Sequence, residues 1–388
     1  GGGVRRSEGC DAFRAVIEKL GVPVVTYWNS IDLIEENHPL YCGRGGNMGD
    51  RAGNFAVQNA DLLLAIGTRI SIRQVGYNWK TWAREAKVIM VDIDRAEMKK
   101  PTIHVDMPVW ADARNFLETM DVCLKKHSDV LFTGEWWREQ CRAWKRNYPV
   151  TLPRHWEENG ETANVFAFIR FLSDALPENS LTAVSNGACC VVGHQNWCIK
   201  NGTRFIINSA IASMGYGLPA AIGLCAAGGK KDTICLEGDG SIMMNLQELQ
   251  TVVTNKLPVK LFIINNQGYH SIRQTQNNLF KEHSKVGIGP ESADLSFPDF
   301  SKLAVAFGYP YYSAHSNADM KSAVLGTLAE PGFVMCEIFT DTLQAWEPKS
   351  STKRLPDGTL VSPPLEDLAP FLDREELLKN MYITPIEE

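Results

Sequence analysis

Hydrophobic residues alternate between two spacings along the chain. Residues 11–20 place apolar side chains at helical intervals, and Gly21 stops that helix before an apolar run at 22–27. A glycine-rich loop covers 43–53, and residues 54–59 predict a short helix leading to the buried strand 61–66, which ends at Gly67. A further helix is predicted at 79–85 and a further strand at 87–94. Segment 135–148 is helical and carries Trp136, Trp137 and Trp144; Pro149 and Pro153 end it, which reads as packing and linker rather than an aromatic cage. The second half repeats the alternation. It has an amphipathic helix at 164–176, strand 181–185, a small-residue helix at 219–227, strand 233–238, helix 243–255 and strand 259–264. Helices at 300–307 and 320–328 and a last strand at 333–338 follow, then a proline-rich tail with a helix at 374–379. Strand–helix alternation of this kind predicts an α/β protein whose parallel sheets are covered by helices on both faces. With 388 residues, two domains are expected: 1–148, a linker at 149–162, 163–345, and a tail at 346–388.

The stretch from Thr233 to Gly268 organises the second domain. Two apolar strands flank an amphipathic helix. The first ends in Gly238-Asp239-Gly240-Ser241 and the second in Asn265-Asn266-Gln267-Gly268. A crossover between parallel strands brings both C-terminal ends to one edge of the sheet, so Asp239 and Asn266, 27 positions apart, are predicted to lie side by side. One carboxylate, one amide oxygen and a nearby main-chain carbonyl suit Mg²⁺ that keeps room for phosphate oxygens. Gly238 and Gly240 let the backbone approach a bulky anion, and a helix starting near Ser241 would aim its amides at it. A lone Gly-Asp-Gly is more often a tight turn. The two amides after an apolar strand have little packing purpose and shift the balance towards a site.

Composition narrows the partners. A net charge of −6 with no long basic run excludes nucleic acid or an anionic membrane as the main partner. The ten cysteines form no CxxC pair, several lie in apolar contexts, and a reducing, cytoplasmic setting is expected. No apolar run is long enough to span a membrane. The chain opens on Gly1-Gly2-Gly3 without a methionine, a cluster of the kind that usually follows a strand, so a start inside a domain is expected. Asp92-Ile93-Asp94 ends a strand where dinucleotide folds place a carboxylate near a ribose. The full glycine fingerprint is absent, and spacing leaves open a nucleotide site or a plain structural domain.

The Gly238-Asp239-Gly240-Ser241 and Asn265-Asn266 pair resembles the diphosphate and metal signature of thiamine diphosphate (ThDP) enzymes. The run from Ala212 to Gly223, Ala-Ser-Met-Gly-Tyr-Gly-Leu-Pro-Ala-Ala-Ile-Gly, is similar to their acetohydroxyacid (acetolactate) synthase branch. The resemblance implies ThDP and Mg²⁺ as cofactors. Met214 would support the bent cofactor, and Ala212 and Met214 would offer backbone atoms to its aminopyrimidine. Gly238, Gly240 and Ser241 would hold diphosphate, while Asp239, Asn266 and the carbonyl of Gly268 would ligate the metal. In that family a middle domain holds FAD, although some branches have lost it; Gly1, Gly2, Gly3, Gly46, Gly49, Gly67, Arg69, Asp92, Ile93 and Asp112 fall at its contact positions. The glutamate that activates the cofactor is expected on an N-terminal pyrimidine-binding domain outside this sequence, so no catalytic residue is assigned within it.

The implied reaction is a carboligase or lyase step on a 2-oxo acid such as pyruvate, with transfer to a carbonyl acceptor that includes sugars, in a homodimer or homotetramer with the site at the subunit interface. Three departures bear on it. Cys189 and Cys190 stand where the synthases carry Gln-His, Thr275 stands where they carry a specificity tryptophan, and the run from Gly268 to Gln276 is similar to relatives of polysaccharide and sugar metabolism. His270, Arg273 and Arg73 are candidate substrate contacts, each with a structural role as the alternative. Simple decarboxylation, C–C hydrolysis, or a non-catalytic nucleotide-binding or regulatory subunit remain alternative functions.

Overall fold

A computed structural model describes residues 1–127, 132–158, 160–354 and 357–386. The chain divides into two compact units, residues 1–150 with 347–388, and residues 151–346. Both are α/β.

In the first unit a parallel pair, β1 (Val24–Thr26) and β2 (Tyr41–Arg44), accompanies a three-stranded parallel sheet of β3 (Leu62–Ile66), β4 (Lys87–Asp92) and β5 (Met107–Trp110) in that order. Alternation along β4 sends Val88 and Met90 to a core with Val57, Val75 and Trp82, and Val91 to one with Val4, Val16 and Leu117. The helices Cys10–Leu20 and Ala113–Lys126 cover the latter face. The helix predicted at 79–85 is only a 3₁₀ turn, Trp79–Thr81. Ala83 takes a left-handed backbone, φ 47°, and donates its N–H to Gln58 Oε1, which breaks helical continuity. Strand β5 escaped prediction because it is an edge strand with Pro108 inside and outward-facing apolar residues.

Residues 347–388, set apart as a tail by their composition, group with this unit. Glu366 accepts from Gln58 and pairs with Arg84, Trp144 Nε1 donates to Asn380 Oδ1, and Leu372, Leu377 and Met381 pack on the core around Phe55 and Trp144.

The second unit is a six-stranded, all-parallel sheet. Its strands are β6 (Leu181–Val184), β7 (Arg204–Ile207), β8 (Thr233–Gly238), β9 (Val259–Asn265), β10 (Tyr311–Ala314) and β11 (Val334–Phe339), in the order β10-β11-β9-β8-β6-β7. β8 and β9 are neighbours, registered from Thr233 opposite Val259 to Gly238 opposite Ile264. Their runs are buried, as strands covered on both faces require. β7 lies on one side of β6 while β8 and β9 extend from the other. That reversal of strand order opens a crevice beyond the C-terminal ends of β6 and β8.

Candidate functional site

The crevice is built from the loops that leave β6, β8 and β9. Asp239, directly after β8, is almost wholly buried. Its Oδ1 accepts from the Gly240 N–H at 2.7 Å and its Oδ2 from the Gly268 N–H at 2.8 Å. The second bond joins the β8 loop to the β9 loop and places Asp239 beside the Asn266–Gly268 turn. Burial raises the Asp239 carboxyl to about 7, against the pull of those two N–H groups. Asn266 is buried next to it, and its Oδ1 accepts no hydrogen bond. A buried, unpartnered acceptor is costly, and one beside a buried carboxylate marks a place where a cation would be welcome. Gly268 sits at φ 133°, and a Cβ there would lie 2.1 Å from the Ile288 carbonyl oxygen, so the turn admits only glycine.

A cavity of about 220 Å³ opens over this turn, lined by Asn186, Gly187, Cys189, Met214, Gly238 to Ser241, Tyr269 and His270 among others. Two of its glycines face open space, and only Gly187, at φ 62°, also has a backbone reason to be glycine. A Cβ on Gly238 would meet only Ser241 Cβ, at 3.9 Å, and one on Gly187 would meet nothing within 4 Å. The empty space in front of them is the shape of a cradle. Gly187 caps the helix Ala188–Asn196, whose first residues also line the cavity, so N-terminal helical amides are present.

The helix expected to begin near Ser241 begins at Glu248; residues Ile242–Met244 form a 3₁₀ turn. The reason lies in Ser241. Its hydroxyl accepts from the Gly215 N–H at 2.9 Å and shares a 2.6 Å bond with Ser185 Oγ. Asn245 Nδ2 donates to the Gly215 carbonyl at 2.7 Å, so the segment is tied to the 212–217 loop instead of coiling at once. Gly215 itself takes φ 76°, and a Cβ there would lie 2.6 Å from Met244 Cβ. This fixes Met214, which is 39% exposed and lines the cavity. Ala212 also adopts a left-handed backbone, φ 55°, with its carbonyl accepting from Asn186 Nδ2.

Matches to known sequences cover both units. The profile for the central domain of thiamine pyrophosphate enzymes matches residues 1–120, and that for their C-terminal TPP binding domain matches residues 185–338. The chain belongs to the thiamine pyrophosphate enzymes. Among its relatives is the acetolactate synthase isozyme 2 large subunit of Escherichia coli K12, 31% identical over 382 residues, covering 95% of this chain and 63% of the relative. The acetolactate synthase large subunit of Pyropia yezoensis is 30% identical over 347 residues, covering 87% of this chain and 55% of the relative. That of Parasynechococcus marenigrum is 33% identical over 315 residues, covering 79% and 48%. The chain thus spans between about half and two thirds of the length of these relatives. Among the described residues no helix is long and apolar enough to cross a membrane.

Within the TPP-binding domain the structure gathers Met214, Gly238, Asp239, Gly240, Ser241, Asn266 and Gly268 around one cavity. It adds Asn186, Gly187 and Tyr269, which the sequence reading passed over; Ser185-Asn186-Gly187 directly after a strand was the available signal. His270 and Arg273 have other employment. His270 Nε2 meets the Gln344 carbonyl at 2.8 Å and its ring packs on Trp346, although one edge reaches the cavity. The Arg273 guanidinium is buried and bonded by this chain's own groups, the carbonyls of Asn266 and Gln267, the Glu291 carboxylate and, at 3.3 Å, His270 Nδ1. Thr275 is exposed on the helix His270–Leu279, with its hydroxyl turned to the Ser271 carbonyl. Arg73 lies in the first unit, over the Trp28 ring.

In the central domain the flavin candidates fall into two groups. Gly67, Arg69, Asp92, Ile93 and Asp112 lie at or just after the C-terminal ends of β3, β4 and β5, along one edge. Gly3 donates its N–H to the Gly67 carbonyl, and a Cβ on Gly1 would lie 2.3 Å from Thr68 Cα, so the Gly1–Gly3 cluster is explained by close backbone packing on that edge. Gly46 and Gly49 are held elsewhere; their Cβ positions would each lie 2.3 Å from a carbonyl oxygen, of Arg73 and Arg44 respectively. Asp112 caps the helix Ala113–Lys126, Asp92 accepts from Asp94 N–H, and Arg69 pairs with Glu97.

Proposed function

We propose that the cavity at the ends of β8 and β9 receives the diphosphate of ThDP together with Mg²⁺, and that this protein acts on a 2-oxo acid such as pyruvate as a carboligase or lyase. The observation that carries the reading is the Asp239–Gly268 bond. It joins the two loops so that a buried carboxylate and the unpartnered Asn266 Oδ1 stand together at an open, glycine-lined cradle. Among the described residues no three His, Cys, Asp or Glu side chains gather to hold a metal unaided. A cation here would therefore draw on Asp239, Asn266 and the Gly268 carbonyl and take further oxygens from phosphate, which is how Mg²⁺ is usually held. When bound, ThDP supplies a carbanion that adds to the substrate carbonyl and an electron sink for decarboxylation. The chain's own share is to hold the diphosphate on the amides of Ser241 and the start of the helix Ala188–Asn196, while the Gly240 N–H, already given to Asp239 Oδ1, shapes the turn that the diphosphate approaches. Met214 is set beside the cofactor from the strained 212–217 loop, and the metal turn is fixed.

The same proposal covers the finer expectations. Exposed Ile211, Met214, Met244 and Ile272 lie on or beside the cavity-forming loops, and Ile211 is 84% exposed, which supports a homo-oligomer whose second copy covers this rim. All ten cysteines are free and most are buried, in keeping with a reducing, cytoplasmic setting. FAD is proposed for the edge formed by β3, β4 and β5, on the support of Gly67, Asp92, Ile93 and Asp112 being brought to it; a purified protein without flavin absorbance would remove it.

The absence of a tryptophan at Thr275 favours a larger acceptor than a second 2-oxo acid, sugars included. Product analysis with pyruvate, alone and with an aldehyde sugar, tests the reaction. A hydroxyketone joined to the acceptor is expected. Free acetaldehyde alone would favour the decarboxylase alternative, and no cofactor-dependent turnover would favour a nucleotide-binding or regulatory role.

A further inference from the structure

Arg273 stands one turn into the helix His270–Leu279, is only 1% exposed, and faces no open space. Nη1 donates to the Asn266 carbonyl at 3.0 Å and Nη2 to the Gln267 carbonyl at 2.8 Å, while Nε pairs with Glu291 Oε2 at 2.7 Å. Those two carbonyls belong to consecutive peptides, the ones that lead from Asn266 to Gly268. The turn between them is strained, since Gln267 holds φ 55° and Gly268 φ 133°. Left-handed backbone at a residue such as glutamine persists only where its surroundings fix it. Gln267 N–H is held by Asn265 Oδ1 on the side facing β9, and Gly268 N–H is held by Asp239. The outward carbonyls are held by Arg273.

We propose that Arg273 is a positioning residue for the metal: its planar fork locks the two peptides that link Asn266 to Gly268, and so sets where the Asn266 side chain and the Gly268 residue stand, with Glu291 fixing the fork in turn. This rests on the reading of Asp239, Asn266 and Gly268 as the cation's ligands. A guanidinium suits the task because its rigid donors span two carbonyls and a carboxylate at once, which an ammonium on a flexible stem cannot reproduce. It also changes the meaning of this arginine, which the sequence offered as a substrate contact. Its charge serves the turn, and substrate recognition falls to other groups at the cavity.

The test is calorimetric titration of Mg²⁺ into the protein at saturating ThDP, with thermal unfolding of each variant measured without cofactor. Arg273→Lys keeps the charge and loses the fork, and Mg²⁺ affinity is expected to fall roughly ten-fold or more, the scale of one lost charge-assisted hydrogen bond. Glu291→Gln, at a half-exposed position, leaves both carbonyl bonds in place and is expected to weaken Mg²⁺ about two- to three-fold. Folded Arg273→Lys with unchanged Mg²⁺ affinity and only a lowered melting temperature would show a merely structural arginine and overturn the proposal. If Arg273→Lys does not fold, Glu291→Gln decides alone, and unchanged affinity there overturns it as well. An unsubstituted protein that binds no Mg²⁺ with ThDP refutes the cofactor reading itself, an outcome distinct from loss of the clamp.

Discussion

Substituting Gly238 by alanine separates binding from folding. The added Cβ meets nothing closer than Ser241 Cβ at 3.9 Å, and Gly238 does not occupy the left-handed region, so the folded chain accepts it. Removing a glycine from the unfolded ensemble then stabilises the protein by about 0.4–1 kcal/mol, or leaves it unchanged. The space the methyl enters is the cradle, where the diphosphate is proposed to lie against the backbone. Overfilling a packed site costs about 1–3 kcal/mol, which lowers ThDP affinity by between about five- and about 150-fold. Gly240→Ala is the contrasting control. Its Cβ would stand 2.3 Å from Tyr269 Cε1, so the ring must move and stability itself falls, by about 1–3 kcal/mol. The assay is chemical denaturation of both variants without cofactor, followed by titration with ThDP and Mg²⁺. A stable Gly238→Ala protein with wild-type ThDP affinity would refute the cradle.

Two further outcomes follow from burial. Asp50 accepts from the N–H groups of Arg44 and Gly53 in the first unit, and burial raises its carboxyl to about 6 from an ordinary 3.8. The folded state therefore binds the proton more tightly than the unfolded one, and stability falls as pH rises through about 4 to 6, by about 3 kcal/mol at most. Asp50→Asn, which imitates the protonated form, should gain on the wild type by that amount between pH 4 and pH 7 in urea denaturation; a constant gap contradicts it. Burial also raises the thiols of Cys189 and Cys235 and pushes Cys336 up to about 12, whereas Cys123 is exposed. Alkylation of the native protein should mark Cys123 and spare those three until denaturant is added, and rapid native labelling of Cys235 would contradict the fold.

What the sequence disclosed was decided by local pattern. β8 and β9 are short buried runs ending in Gly-Asp-Gly and Asn-Asn, so both the strand pairing and the meeting of Asp239 with the Asn266 turn were legible from spacing. The edge strand β5 was not, because its side chains do not alternate towards one core and a proline interrupts it. The delayed helix start at Glu248 was hidden for a different reason. It depends on Ser241 bonding Gly215 and Ser185, residues 26 and 56 positions away, which no local propensity records. The role of Arg273 was hidden because its partners are main-chain carbonyls, which look alike in any sequence. The segment 347–388 looked like a tail by composition, and its place in the first unit rests on bonds such as Gln58 to Glu366 that span most of the chain.

The central claim is that Asp239 and its neighbours make a cation-dependent diphosphate site, and calorimetric binding of ThDP with and without Mg²⁺, in the wild type and in Asp239→Asn, tests it most directly. The account predicts binding that requires the divalent cation and is lost in Asp239→Asn while the variant remains folded. Binding of equal strength without Mg²⁺, or undiminished binding in Asp239→Asn, would contradict it.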